Sequence, residues 1–104
     1  MTDAIQILTT TPDKDLALRI ANALVEARLA ACVQISGPIE SVYRWQGRVE
    51  SATEWQCMIK TTRDRYLAVE QAICGLHTYK VPEILALPVV EGHLDYLQWL
   101  RVPE

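Results

Sequence analysis

The spacing of apolar residues along the chain predicts four β-strands and three helices. Short β-favouring runs that end at Pro, Gly or a tight turn indicate strands, and apolar residues three or four positions apart indicate helices. Strands are predicted over residues 4–11, 48–61 and 83–90, and over residues 32–45 as two β segments joined at a Gly37-Pro38 bend. Helices are predicted over residues 16–27, 64–76 and 94–100, the second capped by Thr61-Thr62 or Asp64.

The predicted order is β-α-β-β-α-β followed by a C-terminal helix, which is the split β-α-β pattern of the ferredoxin-like α+β fold. Gln46-Gly47 predicts a tight turn between two long central strands. One domain over residues 1–104 suits this length. Two helices would cover one face of the antiparallel sheet, so the other face needs a cover or a partner.

Composition narrows the possible functions. Half of the 104 residues are apolar and 22% are charged, which is typical of a folded globule. The net charge of -3, with both signs interspersed, argues against a nucleic-acid-binding surface. No leader pattern and no membrane-spanning apolar run is recognisable, so a cytoplasmic location is predicted. The three cysteines are widely spaced and odd in number, which predicts reduced thiols rather than disulfides.

Several segments carry a family resemblance. The chain closely resembles the CutA (divalent-cation-tolerance) family, in family order, at LAACVQI (29–35), PIESVYRWQGRVE (38–50), Glu54, IKT (59–61), HTYKVPEI (77–84) and YLQWL (96–100). The resemblance implies a homotrimer similar to the PII signalling proteins, in which extended hairpins pair between neighbours and clefts lie at the subunit boundaries. It also implies a link to divalent cations, with copper often proposed as the ion, and no established catalytic reaction.

Cys74 and His77 are the candidate metal ligands. They lie three residues apart near the end of the second predicted helix, a spacing that puts two soft or borderline ligands on one face. Two ligands alone bind weakly, and Cys32 would join them only if the fold brings it near. The alternative interpretation makes Cys74 a small core residue and His77 a hydrogen-bonded packing residue.

Three positions depart from the pattern that the resemblance implies for a metal site. The family commonly reads His-Pro-Tyr-Glu where this chain has His77-Thr78-Tyr79-Lys80, so a cation stands in place of a possible carboxylate. Some members also carry a cysteine and a second histidine at positions that are Thr9 and Leu76 here. Because Lys80 would repel a bound cation, these departures weaken the metal prediction.

Candidate ligand-binding residues are Cys32, Trp45, Lys60, Tyr79 and Glu83. The last four resemble positions that line the intersubunit cleft of the family, and they combine an aromatic wall, a cation, a phenol and a carboxylate. Such a set suits a small polar or anionic ligand. The alternative is that Trp45 and Tyr79 bury area across an interface while Lys60 and Glu83 pair or face solvent.

The sequence thus predicts a trimeric binding or signalling module that takes a small ligand or a divalent cation such as copper. A structural or partner-organising trimer is one alternative, and an enzyme on the ferredoxin-like scaffold is another. The enzyme is disfavoured because no Gly-rich phosphate loop and no local Cys-His signature is present. Trp55 and Trp99 are interpreted as packing residues, and His93 as an exposed residue at a helix start.

Overall fold

A computed structural model describes residues 2–102 and shows the predicted order of elements. The elements are β1 (Ala4–Thr11), α1 (Lys14–Glu26), β2 (Cys32–Trp45), β3 (Arg48–Thr62), α2 (Tyr66–Leu76), β4 (Leu85–Pro88) and α3 (Leu94–Arg101). The strands form one antiparallel sheet in the order β2-β3-β1-β4. This arrangement confirms the predicted ferredoxin-like fold. None of the helices within residues 2–102 is long and apolar enough to cross a membrane.

The core lies between one face of the sheet and the two helices α1 and α2. Helix α1 starts where Asp13 caps it, with Asp13 Oδ1 accepting a hydrogen bond of 2.8 Å from the Leu16 backbone N–H. Alternate residues of the two central strands point toward the helices, because successive side chains of a strand face opposite sides. The buried cluster contains Ile5, Ile7, Leu16, Ile20, Leu24, Cys57, Ile59, Val69 and Ile73. Trp55 packs against this cluster, as interpreted from its strand pattern.

Helix α2 begins later than predicted. A 3-10 turn occupies Arg63–Arg65, and the α-helix itself starts at Tyr66 without a side-chain cap. The Asp64 carboxylate, expected as a cap, instead accepts a hydrogen bond from the Thr62 hydroxyl. The predicted cap was therefore wrong, because a hydroxyl two residues earlier engages this carboxylate.

Strand β4 is also shorter than predicted. It covers Leu85–Pro88 rather than residues 83–90, and it pairs only with residues 5–8 of β1. Pro82 lies just before the strand, and Pro88, its last residue, lacks the N–H that a ladder requires; beyond it one hydrogen bond of 3.0 Å runs from the Val89 N–H to the Ala4 carbonyl oxygen. β4 is consequently a short edge strand.

The β2–β3 hairpin extends well beyond the rest of the sheet. β1 pairs with β3 only over residues 55–62, so residues 39–54 form a two-stranded ribbon, hereafter the ribbon. Its tip is the predicted tight turn, in which Gln46 and Gly47 adopt φ values of 51° and 78°. The register between β2 and β3 shifts between Ser36 and Ile39, where β2 carries one extra residue. The ribbon makes the molecule elongated, with extents of 44 × 26 × 23 Å.

Candidate functional site

A cavity of about 740 Å³ runs along the ribbon from Glu54 at its base to Gln46 at its tip, between the ribbon and the segment that follows α2. The ribbon contributes one wall, the segment 78–83 contributes the other, and the end of β1 closes the floor. The lining residues are Thr10, Ser41, Val42, Tyr43, Trp45, Gln46, Glu54, Thr78, Tyr79, Lys80, Val81 and Glu83. Three of the candidate ligand-binding residues, Trp45, Tyr79 and Glu83, are therefore brought together in one cavity.

Glu54 and Tyr79 form the polar centre of this cavity. Glu54 is only 6% exposed, and the Tyr79 hydroxyl donates a hydrogen bond of 2.7 Å to Glu54 Oε2. Burial raises the pKa of Tyr79 well above its usual range, and the hydrogen bond and negative charge of Glu54 raise it further. The phenol therefore stays neutral and keeps its proton as a donor to the carboxylate.

The strand register explains the position of Glu54. It lies opposite Ile39, immediately after the register shift, and one residue before Trp55, where β1 stops pairing with β3. Glu54 thus stands at the point where the sheet becomes the ribbon. Sequence analysis missed it as a site residue because it alternates with Trp55 and Cys57, which is the pattern of a solvent-facing strand position. Thr10, which also lines the cavity, was missed because it is distant from the ribbon along the chain.

His77 holds the segment after α2 against the end of β1. Its Nε2 lies 2.7 Å from the Thr10 carbonyl oxygen, and its Nδ1 accepts a hydrogen bond of 3.0 Å from the Tyr79 backbone N–H. Because a carbonyl oxygen only accepts, Nε2 is the donor in the first of these hydrogen bonds. The imidazole also lies 4.8 Å from the Tyr79 ring, between centroids. Both ring nitrogens are therefore used in placing Tyr79.

The candidate metal ligands do not form a closed metal site within one chain. Cys74 is exposed on α2, which lies with α1 on one face of the sheet. Cys32 precedes Val33, which packs toward the helices, so Cys32 faces the opposite side of the sheet. No group of three or more His, Cys, Asp or Glu side chains within residues 2–102 is arranged to hold a metal ion. The donors that are present do not fit the three or four ligands that such sites normally use.

Lys60 also lies away from the cavity. It is the register partner of Cys32 on the face of the sheet opposite to α1 and α2, and its Nζ donates a hydrogen bond of 2.8 Å to Gln34 Oε1. Within one chain, Lys60 and Cys32 therefore do not join Trp45, Tyr79 and Glu83. Over the described part of the chain, the only cationic side chain that lines the cavity is Lys80, which is exposed.

We compared the sequence and the fold of this chain with those of known proteins. Residues 5–102 match the family described as CutA1 divalent ion tolerance protein. A divalent-cation tolerance protein of Thermus thermophilus is 47% identical over 95 residues, covering 91% of this chain and 92% of that protein. Human protein CutA is 44% identical over 92 residues, covering 88% of this chain but 51% of the human protein.

The fold of this chain also closely matches that of a solved structure from the same family. The solved structure of a divalent cation tolerance protein from Thermus thermophilus matches with a TM-score of 0.93 and 46% identity, over 94% of this chain and 95% of that chain. The family match, the sequence identity and the fold similarity each cover most of the chain and point to the same family. The chain belongs to the CutA1 divalent ion tolerance family.

Proposed function

We propose that this protein acts in divalent-cation tolerance as a homotrimeric binding protein whose cavity takes a small polar ligand. The observation that carries the proposal is the Glu54–Tyr79 pair, a buried carboxylate and a half-buried phenol at the centre of a cavity with aromatic walls. Binding sites for small molecules are typically concave and largely apolar, with a few convergent polar groups. Among residues 2–102, the lining contains neither Cys nor His, so binding is favoured over nucleophilic catalysis.

The ribbon supports the trimer. Within residues 2–102, the backbone of residues 39–54 pairs only with itself, so both ribbon edges carry unpaired backbone groups. Val42, Tyr43, Trp45 and Val49 are exposed on it. Burying each large apolar side chain against a neighbour stabilises an assembly by about 1.5–3 kcal/mol. A closed ring satisfies such an edge in every copy, and the family resemblance selects three subunits.

Light scattering at micromolar concentration tests the trimer. The wild-type protein is expected to show about three times the chain mass of 11.8 kDa. Trp45→Asp should lower that mass, because it places a charge in the proposed interface. Leu18→Asp on α1 is the matched control, since Leu18 and Trp45 have similar exposures of 42% and 43%. A monomeric wild type, or equal dissociation by both variants, would contradict the trimer.

Native mass spectrometry tests the ligand. Protein purified gently from its source is expected to retain a small molecule. Ser41→Phe should expel it, because Ser41 lines the cavity. Ser51→Phe is the matched control, since Ser51 lies on the same ribbon but outside the lining. Retention that is unchanged in Ser41→Phe would place the ligand elsewhere, and a protein that never retains a ligand would favour the structural or partner-organising trimer.

Copper binding at Cys74 and His77, as expected from the resemblance, stays a prediction. It should be weak, because both nitrogens of His77 already make hydrogen bonds and an ion would have to displace one of them. Titration of wild type and His77→Ala with Cu²⁺ measures it. Tight binding that survives His77→Ala would move the metal site to other residues. A cytoplasmic location likewise belongs to the proposal, and fractionation of the source cells tests it.

A further inference from the structure

We propose that the cavity selects a small organic ammonium ion, with the charged end on Glu54 and the apolar body against Tyr43 and Trp45. This inference rests on the proposed binding function and names the chemical class of its ligand. It differs from the sequence-based expectation of a polar or anionic ligand, which depended on Lys60 being in the site.

The first argument is the incomplete pairing of Glu54. Its Oε2 accepts the hydrogen bond from Tyr79, whereas no group of residues 2–102 donates to its Oε1, which solvent still reaches. The residue is only 6% exposed, and it lines the cavity. A buried carboxylate is costly unless it is paired and hydrogen-bonded. A cation in the cavity would complete the pairing that the chain leaves unfinished.

The surrounding charges favour a cation over an anion. Glu83 adds a second carboxylate to the lining, against the single ammonium group of Lys80. Both of these side chains are exposed, whereas Glu54 is buried, so the carboxylate at the centre is the least screened charge. Asp13 adds further negative charge near the Tyr79 hydroxyl. An anion at the centre of the cavity would face repulsion from Glu54, and no buried cation of the described lining would offset it.

The aromatic residues supply a surface for the rest of the ligand. Tyr43 and Trp45 pair with Glu50 and Arg48 across the ribbon, in the same alternating set as the Ile39–Glu54 pair, and therefore share a face with Glu54. Both rings line the cavity, and in the proposed trimer they lie where the cavity meets the subunit interface. Aromatic faces attract organic cations, and they also bury alkyl groups.

The geometry also distinguishes an ammonium ion from other cations. A guanidinium group binds best through two parallel hydrogen bonds to both carboxylate oxygens, and the Tyr79 hydroxyl already uses one of the two acceptor sites of Oε2. Hard divalent ions need about six or more oxygen ligands, and no such carboxylate cluster exists within residues 2–102. An ammonium group is a compact donor that needs only one carboxylate oxygen, such as Oε1.

Three probes of similar size test the inference on the full-length protein: n-butylammonium, 1-butanol and butyrate. Each is titrated while the Trp45 indole N–H and the Tyr79 amide are followed by NMR. Butylammonium is expected to bind at least about tenfold more tightly than either other probe, since a hydrogen bond to a charged group contributes at least that factor. Glu54→Gln should remove this preference, whereas Glu26→Gln on α1, which changes the charge equally but lies outside the cavity, should retain it.

The possible outcomes separate this inference from the proposed function. If butanol or butyrate shifts the cavity signals with equal or higher affinity, the ammonium preference is wrong while the cavity remains a binding site. If no probe shifts them, both proposals are overturned. A preference for butylammonium that persists in Glu54→Gln would also overturn the inference. The wild-type comparison of the three probes needs no variant, so it decides the question even if Glu54→Gln fails to fold.

Discussion

The contact between Gly37 and Trp55 leads to a sharp prediction about stability. A Cβ atom at Gly37 would lie 2.5 Å from Cδ1 and 2.7 Å from Cγ of the Trp55 ring. Atoms do not approach so closely, so Gly37→Ala must move the ring or the strand. Because Trp55 packs against the core, the ring has little room to move. Overpacking of this kind typically costs about 1–3 kcal/mol of unfolding free energy.

Gly75 provides a matched control with the opposite sign. It lies within α2, and a Cβ atom added there meets nothing within 4 Å. Replacing a helical glycine by alanine reduces the conformational freedom of the unfolded chain and stabilises by about 0.5–1 kcal/mol. The same change of one methyl group should therefore differ between the two positions by about 1.5–4 kcal/mol, the sum of these two ranges.

Urea unfolding followed by far-UV circular dichroism measures both variants, at one protein concentration because association stabilises the native state. Gly37→Ala should shift the midpoint to lower urea, and Gly75→Ala to higher urea. Equal shifts, or a stabilising Gly37→Ala, would refute the packing argument. Gly37→Ala should also weaken ligand binding in the cavity, because Gly37 and Trp55 lie at the base of the ribbon that carries Glu54 into the cavity.

Three further predictions follow from individual side chains. Tyr79→Phe should lower the unfolding free energy measured in urea by about 1 kcal/mol, because it removes the hydrogen bond to Glu54 in a site that solvent still reaches. A loss below about 0.3 kcal/mol would show that the Tyr79–Glu54 hydrogen bond does not stabilise the fold. Burial raises the pKa of Cys57 from 9.0 to about 11, so its contribution to stability is complete below pH 9 and is lost as the pH rises through 11. Cys57→Ala should flatten that part of the stability profile, and an unchanged slope would assign it to another group. All three cysteines are unpaired in the structure, so thiol counting under denaturing, non-reducing conditions should find three per chain, and a lower count would contradict reduced thiols.

Local signals in the sequence were enough to predict the order of elements. The Asp13 cap and the spacing of Leu16, Ile20 and Leu24 define α1, and Gln46-Gly47 defines the turn of the ribbon. These features depend on residues within a few positions of one another, because capping, helical periodicity and tight turns are short-range effects. The start of α2 and the ends of β4 were less predictable, because they depend on a competing hydrogen bond at Asp64 and on the prolines that flank the paired part of β4.

The site was decided by the tertiary structure. Alternation along β3 shows that Glu54 and Trp55 face opposite sides, but it does not show what packs against either side. Only the folded chain brings Tyr79 to Glu54, 25 residues away, and His77 to the carbonyl of Thr10, 67 residues away. The sequence by itself therefore determined the fold class, and the family resemblance drew attention to Trp45, Tyr79 and Glu83, whereas the buried carboxylate at the centre became recognisable through contacts between segments that are distant along the chain.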